Sequence, residues 1–168
     1  KTRENTKNQF QKMKNNSILI KDDIPSYYIY KITSEKHIQT GVIGKAKISA
    51  YDNLHIRGHE EIYSERAQER SEQMLNLDAQ IGPIYVIYPD SNDLTILIKE
   101  KIKSKPIYTF TALDNCHHEL WIINDKEKLN KINDIFNKIN CIYIADGHHR
   151  MEAMLRLSDF KKNQNSSH

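Results

Sequence analysis

Apolar and polar positions change period along the 168-residue chain, and the changes mark out its elements. Short apolar or alternating runs at 27–33, 41–49, 84–88, 107–111, 116–123 and 141–145 have the length and period of strands. Between them, apolar residues three and four apart predict helices. One covers 64–80 with Ser64 as N-cap and Ala67, Met74 and Ile81 inward; one covers 92–104 with Leu94, Leu97, Ile98 and Ile102. A third covers 126–139 with Leu129, Ile132, Ile135, Phe136 and Ile139, and a fourth spans 148–158, where His149, Ala153 and Leu157 share one face. Phe10 and Met13, three apart, allow a marginal amphipathic helix within the polar residues 2–16. Asp22, Asp23 and Pro25 mark a turn, Ser34 to His37 a hairpin connection, and Asp114-Asn115 and Asp146-Gly147 further turns. Residues 51–63 read as a polar connection and 161–168 as a disordered tail or a cut end. With neither repeats nor a linker, the pattern predicts one mixed α+β domain over 1–168. Its sheet is largely antiparallel, with a few parallel pairings.

Composition narrows the class. A hydrophobic fraction of 38% and a charged fraction of 28% describe a soluble chain with a sizeable core. The longest apolar runs are too short to span a bilayer. Twenty-five basic against 22 acidic residues leave a net charge of +3, which suits a small anionic partner and does not announce nucleic acid. Only Cys116 and Cys141 occur, both in strand-like runs, so no disulfide framework is expected and a reducing cytoplasm fits. No signal peptide is visible, and the chain opens on Lys1.

The chemistry concentrates at Cys141 to Arg150, which reads as strand, tight turn and helix start. A helix N-terminus offers unpaired backbone N–H groups and a partial positive charge. Gly147 lets a ligand approach the backbone closely, and Arg150 adds a fork of donors suited to phosphate. These features describe a phosphate site, with His148 and His149 beside it. A capped helix start, with Asp146 binding the same N–H groups and the histidines as polar first-turn residues, fits the pattern equally well.

The Asp146-Gly-His-His-Arg150 turn resembles the signature of a bacterial and archaeal family, domain-of-unknown-function family 1015. Tyr28-Ile-Tyr30, Gly41-Val-Ile-Gly44, His59-Glu60, Glu69-Arg70, Gly82-Pro83-Ile84 and His118-Glu-Leu-Trp121 follow the family's order, so the resemblance covers most of the chain. Members of that family are longer at both ends, which implies a fragment of a longer protein. The turn, within the 141–158 strand–turn–helix, also resembles that of the ParB/sulfiredoxin fold, which includes free-serine kinases. In those enzymes such a turn holds nucleotide phosphates, and an early glutamate serves as base toward the serine hydroxyl.

These resemblances imply a nucleotide-dependent phosphotransferase acting on a small hydroxyl metabolite such as free serine. Glu60 would be the base, and Gly147, His148, His149 and Arg150 would hold phosphates. Asp146 would take part in catalysis by touching a magnesium ion that arrives with ADP or ATP. Arg70 matches the family's acidic-Arg pair and is the expected ligand contact on its helix; Arg66, four residues before it, has no such support. His59 and His118 are expected in the same pocket. The alternative is a non-catalytic nucleotide- or phosphometabolite-binding module.

Rival chemistries fit less well. Adjacent residues do not face each other on a helix or strand, so neither His117-His118 nor His148-His149 chelates one ion easily. Cys116 and His118 share a strand face, but zinc needs three or four ligands. His59-Glu60 lacks the second histidine of a zinc-protease helix. Sulfiredoxin chemistry needs a cysteine where His148 stands. A partition protein carries an acidic residue there, and a DNA-binding helix-turn-helix further on that this chain does not offer.

Overall fold

The alternating runs become strands and the 3.6-period stretches become helices in a computed structural model of the protein, which describes residues 2–165. The order is α1 (Thr2–Asn15), β1 (Tyr27–Thr33), β2 (Ile38–Ile43), α2 (Ser49–Asp52), β3 (Ile56–Arg57), α3 (Ser64–Leu77) and β4 (Tyr85–Ile87). It continues with α4 (Asn92–Lys101), β5 (Tyr108–Thr111), β6 (His117–Ile123), α5 (Lys126–Lys138), β7 (Ile142–Asp146) and α6 (His148–Asn165). The content is mixed α+β, and antiparallel pairs dominate. Among the described residues no helix is long and apolar enough to cross a membrane.

Backbone contacts gather these elements into two compact units where the sequence pattern predicts one domain. One unit holds Lys1–Lys21, Lys47–Tyr88 and Cys141–His168; the other holds Asp22–Ala46 and Pro89–Asn140. Each is assembled from separated stretches, so no single cut in the sequence parts them.

The second unit is a four-stranded antiparallel sheet in the order β2-β1-β6-β5. Register places Ile29 opposite Trp121 and Tyr27 opposite Ile123, so these four side chains share one face. Ile29, Trp121 and Ile123 are buried there, together with Leu94 and Leu97 of α4 and Ile132 and Ile135 of α5. Two hydrogen bonds fasten this face to the segments over it: Tyr27 Oη donates to Asn133 Oδ1 at 2.7 Å, and Trp121 Nε1 donates to the Ser104 carbonyl at 2.8 Å. Both helices begin on side-chain caps, Ser91 for α4 and Asp125 for α5, as their sequences favour.

The first unit is a three-stranded sheet in the order β3-β7-β4, with β3 parallel and β4 antiparallel to the central β7. Helices α3 and α6 pack against each other, and α1 packs against α3. Ala67, Met74 and Leu77 of α3 and Met151 and Ala153 of α6 are buried.

Several boundaries moved. The second hairpin strand begins at Ile38, because Ser34 N–H bonds the His37 carbonyl and closes the turn early; it ends at Ile43 rather than Ser49. The connection 51–63 contains the end of α2 and the two-residue β3. Tyr63, not Ser64, is the N-cap of α3. That helix stops at Leu77 because Asp78 adopts the left-handed conformation, which leaves Ile81 exposed instead of in the core. Helix α6 runs on through 161–165, where a tail was expected. Residues 166–168 lie outside the described residues.

Ile132 has no exposed surface, so Ile132→Ala should cost about 2–5 kcal/mol through lost burial and an incompletely filled cavity. Trp121, the single tryptophan, is buried in the same unit and reports the transition. Urea unfolding followed by its fluorescence should show a lower midpoint with an unchanged slope.

Candidate functional site

The topology of the first unit brings three chain segments to one edge of its sheet. β3 runs parallel to the start of β7, with Arg57 beside Tyr143, so the chain leaving β3 heads toward the edge where β7 ends at Asp146. β4 runs antiparallel, with Tyr85 opposite Asp146, so the approach to β4 through Gly82 reaches the same edge. Helix α6 starts there, one residue past β7. A register shift between Tyr85 and Val86 marks where the β4–β7 ladder becomes irregular near this edge.

Glycine makes the turn possible. Gly147 has φ +102°, a conformation that side-chain-bearing residues rarely adopt, and Met151 N–H closes the first helical turn on its carbonyl. Gly147 has no side chain with which to cap the N–H groups of His148, His149 and Arg150, which lie in the first turn, where intrahelical partners are missing. The Arg150 side chain folds back over the turn. A Cβ on Gly147 would sit 2.9 Å from Arg150 Nε and Nη2, and one on Gly82, at φ +83°, would sit 2.9 Å from Nη1. The guanidinium therefore lies against two glycine backbones, and Nη2 donates to Asp146 Oδ2. Asp146 is thus engaged by Arg150 instead of capping the helix.

The two histidines face the connection between β3 and α3. His148 Nε2 accepts the His59 N–H at 3.3 Å, and His149 Nε2 accepts the Tyr63 N–H at 3.2 Å. The Tyr63 ring stacks on the His149 ring at 5.8 Å and 2°. The His148 side chain is only 2% exposed, and the His59 ring meets it edge-on at 4.6 Å. A Cβ on Gly58 would stand 3.0 Å from His148 Cδ2, so glycine is what lets the ring approach the backbone. Glu60, 52% exposed at its side chain, places Oε2 3.1 Å from His148 Nδ1. That contact meets the distance of an ion pair but not the direction of a hydrogen bond, and Nδ1 is buried with no well-aligned acceptor.

Glu60 and His59 thus meet His148, while Arg150 lies over Gly147 and Gly82 and holds Asp146. Arg70 does not join them: it is exposed on α3 and donates to Gln73 at 3.0 Å. Arg66 makes the nearer connection, since its guanidinium carbon lies 5.4 Å from the centre of the Tyr63 ring that covers His149. His118 belongs to the second unit, where Tyr30 Oη bonds its Nδ1 at 2.7 Å and Phe110 stacks on it at 4.7 Å. Among the described residues no group of three or more His, Cys, Asp or Glu side chains could hold a metal ion.

The sequence pattern missed four contributors. Gly58 and Gly82 read only as a loop residue and a strand opening, because what they make room for lies far along the chain. Tyr63 gave no signal beyond its place before a helix. Arg156 donates to Ser64 through its carbonyl at 3.1 Å and its hydroxyl at 3.3 Å, tying α6 to the start of α3; the spacing of a helix face alone did not expose it.

The profile of a family described as protein of unknown function (DUF1015) matches residues 2–168, and the chain belongs to that family. No curated protein and no solved structure matches it.

Gly82→Ala and Gly147→Ala should each cost about 1–3 kcal/mol, from the strained backbone conformation and from displacing Arg150. Gly41→Ala is the control: nothing lies within 4 Å of its Cβ position, and stability should change by no more than about 0.5 kcal/mol. Urea titration of the three variants, followed by circular dichroism, checks the contrast.

Proposed function

We propose that the protein is a nucleotide-dependent phosphotransferase acting on a small hydroxyl metabolite, with free serine as the first candidate. The observation that carries this reading is the Glu60 carboxylate, 3.1 Å from His148 at the start of α6. The same helix start carries backbone N–H groups, and its Arg150 guanidinium, over Gly147 and Gly82, is suited to phosphate oxygens. The likeness of the Asp146–Arg150 turn to that of the ParB/sulfiredoxin fold and its free-serine kinases belongs to this proposal.

In the proposed reaction the phosphates of ADP or ATP lie over the 147–150 backbone, and Arg150 turns from Asp146 toward their oxygens. The acceptor hydroxyl attacks the terminal phosphorus. A new O–P bond forms as the bridging P–O bond breaks, and the electron pair leaves with the shortened nucleotide. Glu60 takes the hydroxyl proton. Positioning and charge stabilisation supply most of the rate, as phosphoryl transfer requires. Asp146, a largely exposed carboxylate at the turn, fits one contact to a magnesium ion otherwise held by phosphates. When bound, that ion would neutralise phosphate charge.

The test uses the full-length protein with labelled ADP or ATP, magnesium and a panel of hydroxyl compounds that includes serine. Arg150→Ala should weaken nucleotide binding by about 1.5–3 kcal/mol, the range of a charge-assisted hydrogen bond. Glu60→Gln should bind nucleotide nearly as the parent does and form no phosphorylated product. Tight nucleotide binding with no product across the panel would replace this reading with a binding module that does not turn over. If neither nucleotide nor phosphometabolite binds, the turn is not an anion site.

A further inference from the structure

We propose that His148 is the positioning residue for Glu60: a neutral histidine, held as the Nδ1–H tautomer, that fixes the carboxylate beside the start of α6. The proposal rests on the reading of Glu60 as the group that receives the hydroxyl proton.

The tautomer follows from the backbone. The His59 N–H can only donate, so His148 Nε2, 3.3 Å away, must present its lone pair. A neutral imidazole with a bare Nε2 carries its proton on Nδ1. That proton belongs to a buried atom, and a buried N–H without an acceptor is costly and rare. The nearby acceptor is Glu60 Oε2 at 3.1 Å, close enough but off line.

One partner is fixed and the other is free to turn. The His148 ring is buried, braced by the edge-on His59 ring at 4.6 Å, and packed where a Gly58 Cβ would stand at 3.0 Å. The Glu60 side chain is 52% exposed. Alignment is therefore reached by rotating the carboxylate onto the imidazole. Bound in that way, one oxygen is held by a donor while the other can accept a proton from substrate.

His149 repeats the backbone half of the device. Its Nε2 accepts the Tyr63 N–H at 3.2 Å, so the 59–63 segment is anchored on α6 at both ends, with Glu60 between. The histidine pair that reads in sequence as phosphate-binding has both Nε2 atoms committed to this segment.

Two substitutions in the full-length protein separate the roles. His148→Gln keeps an acceptor at the Nε2 position and loses the donor toward Glu60. His148→Asn keeps a donor near the Nδ1 position and loses the acceptor for His59. In His148→Gln, hydrogen exchange at the His59 amide should stay as in the parent and the nucleotide KM should stay within about twofold. Its kcat should fall about 100-fold, the scale of a misplaced reacting group. In His148→Asn, protection of the His59 amide should be lost and kcat should exceed that of His148→Gln.

Nitrogen-15 spectra of the imidazoles test the same bridge without turnover. His148 should show a protonated Nδ1 and a bare Nε2, and Glu60→Ala should move the Nδ1 signal. An Nε2–H tautomer, an Nδ1 signal indifferent to Glu60→Ala, or a His148→Gln protein with the parent's kcat would each overturn the proposal. So would a loss carried by the nucleotide KM, which would make His148 a phosphate ligand. If the parent forms no phosphorylated product, the phosphotransfer reading fails, and the spectra still decide whether His148 holds Glu60.

Discussion

A backbone N–H outside a helix or a sheet ladder must find some other acceptor, and in the first unit two such groups find histidines. His59 and Tyr63 lie on a connection whose backbone has few ladder partners, because β3 before it is two residues long. The adjacent histidines that open α6 supply the acceptors. They can do so only while neutral, since a protonated imidazole offers two donors and no lone pair. The start of α3 and the segment before it are tied to α6 through that seam. It holds Glu60 against the helix start, it places Tyr63 over His149, and it is continued by Arg156 on Ser64.

The seam also explains why two adjacent histidines are useful where a metal site could not use them. Neighbouring side chains on a helix diverge by about 100° and cannot converge on one ion. Divergence is what a clamp needs, because the two acceptors must reach backbone groups four residues apart. Gly58 complements the clamp from the other side: a Cβ there would stand 3.0 Å from the His148 ring and would press it aside by a few tenths of an ångström. The same logic recurs at Arg150, whose guanidinium lies against Gly82 and Gly147. In both cases the long polar side chain comes from α6 and the missing side chain comes from elsewhere.

That division sets what could be read from sequence. The strand–turn–helix at 141–158 was legible because its signals are local: an apolar run, an Asp-Gly turn, and helical spacing through Ala153 and Leu157. The hairpins and the amphipathic helix at 126–138 were legible for the same reason. A short-range pattern does not reveal which backbone group an imidazole meets 86 or 89 residues away. It gave His148 and His149 to a ligand when their Nε2 atoms serve the fold. The resemblance favoured Arg70 over Arg66 through the Glu69-Arg70 pair, whereas the contact of Arg66 with Tyr63 arises only once Tyr63 stands at the helix start. Ile81 failed for a simpler reason: helical periodicity was extended past Asp78, whose left-handed conformation ends the helix.

The pair between Arg150 and Asp146 bears on how such a turn could exchange partners. The two side chains are four apart in sequence, and Asp146 is 73% exposed, so its carboxylate loses little hydration by staying near the guanidinium and regains little by leaving. Ion pairs of this exposed kind contribute about 0–1 kcal/mol. A phosphate group held by the same guanidinium and by the first N–H groups of α6 would make several charge-assisted bonds at once, each worth about 1.5–3 kcal/mol. On the proposed function the exchange would favour the multiply bonded anion, with Asp146 holding the guanidinium near the turn before it binds. At both glycines the Arg150 guanidinium, as it stands, fills the space that a Cβ would meet.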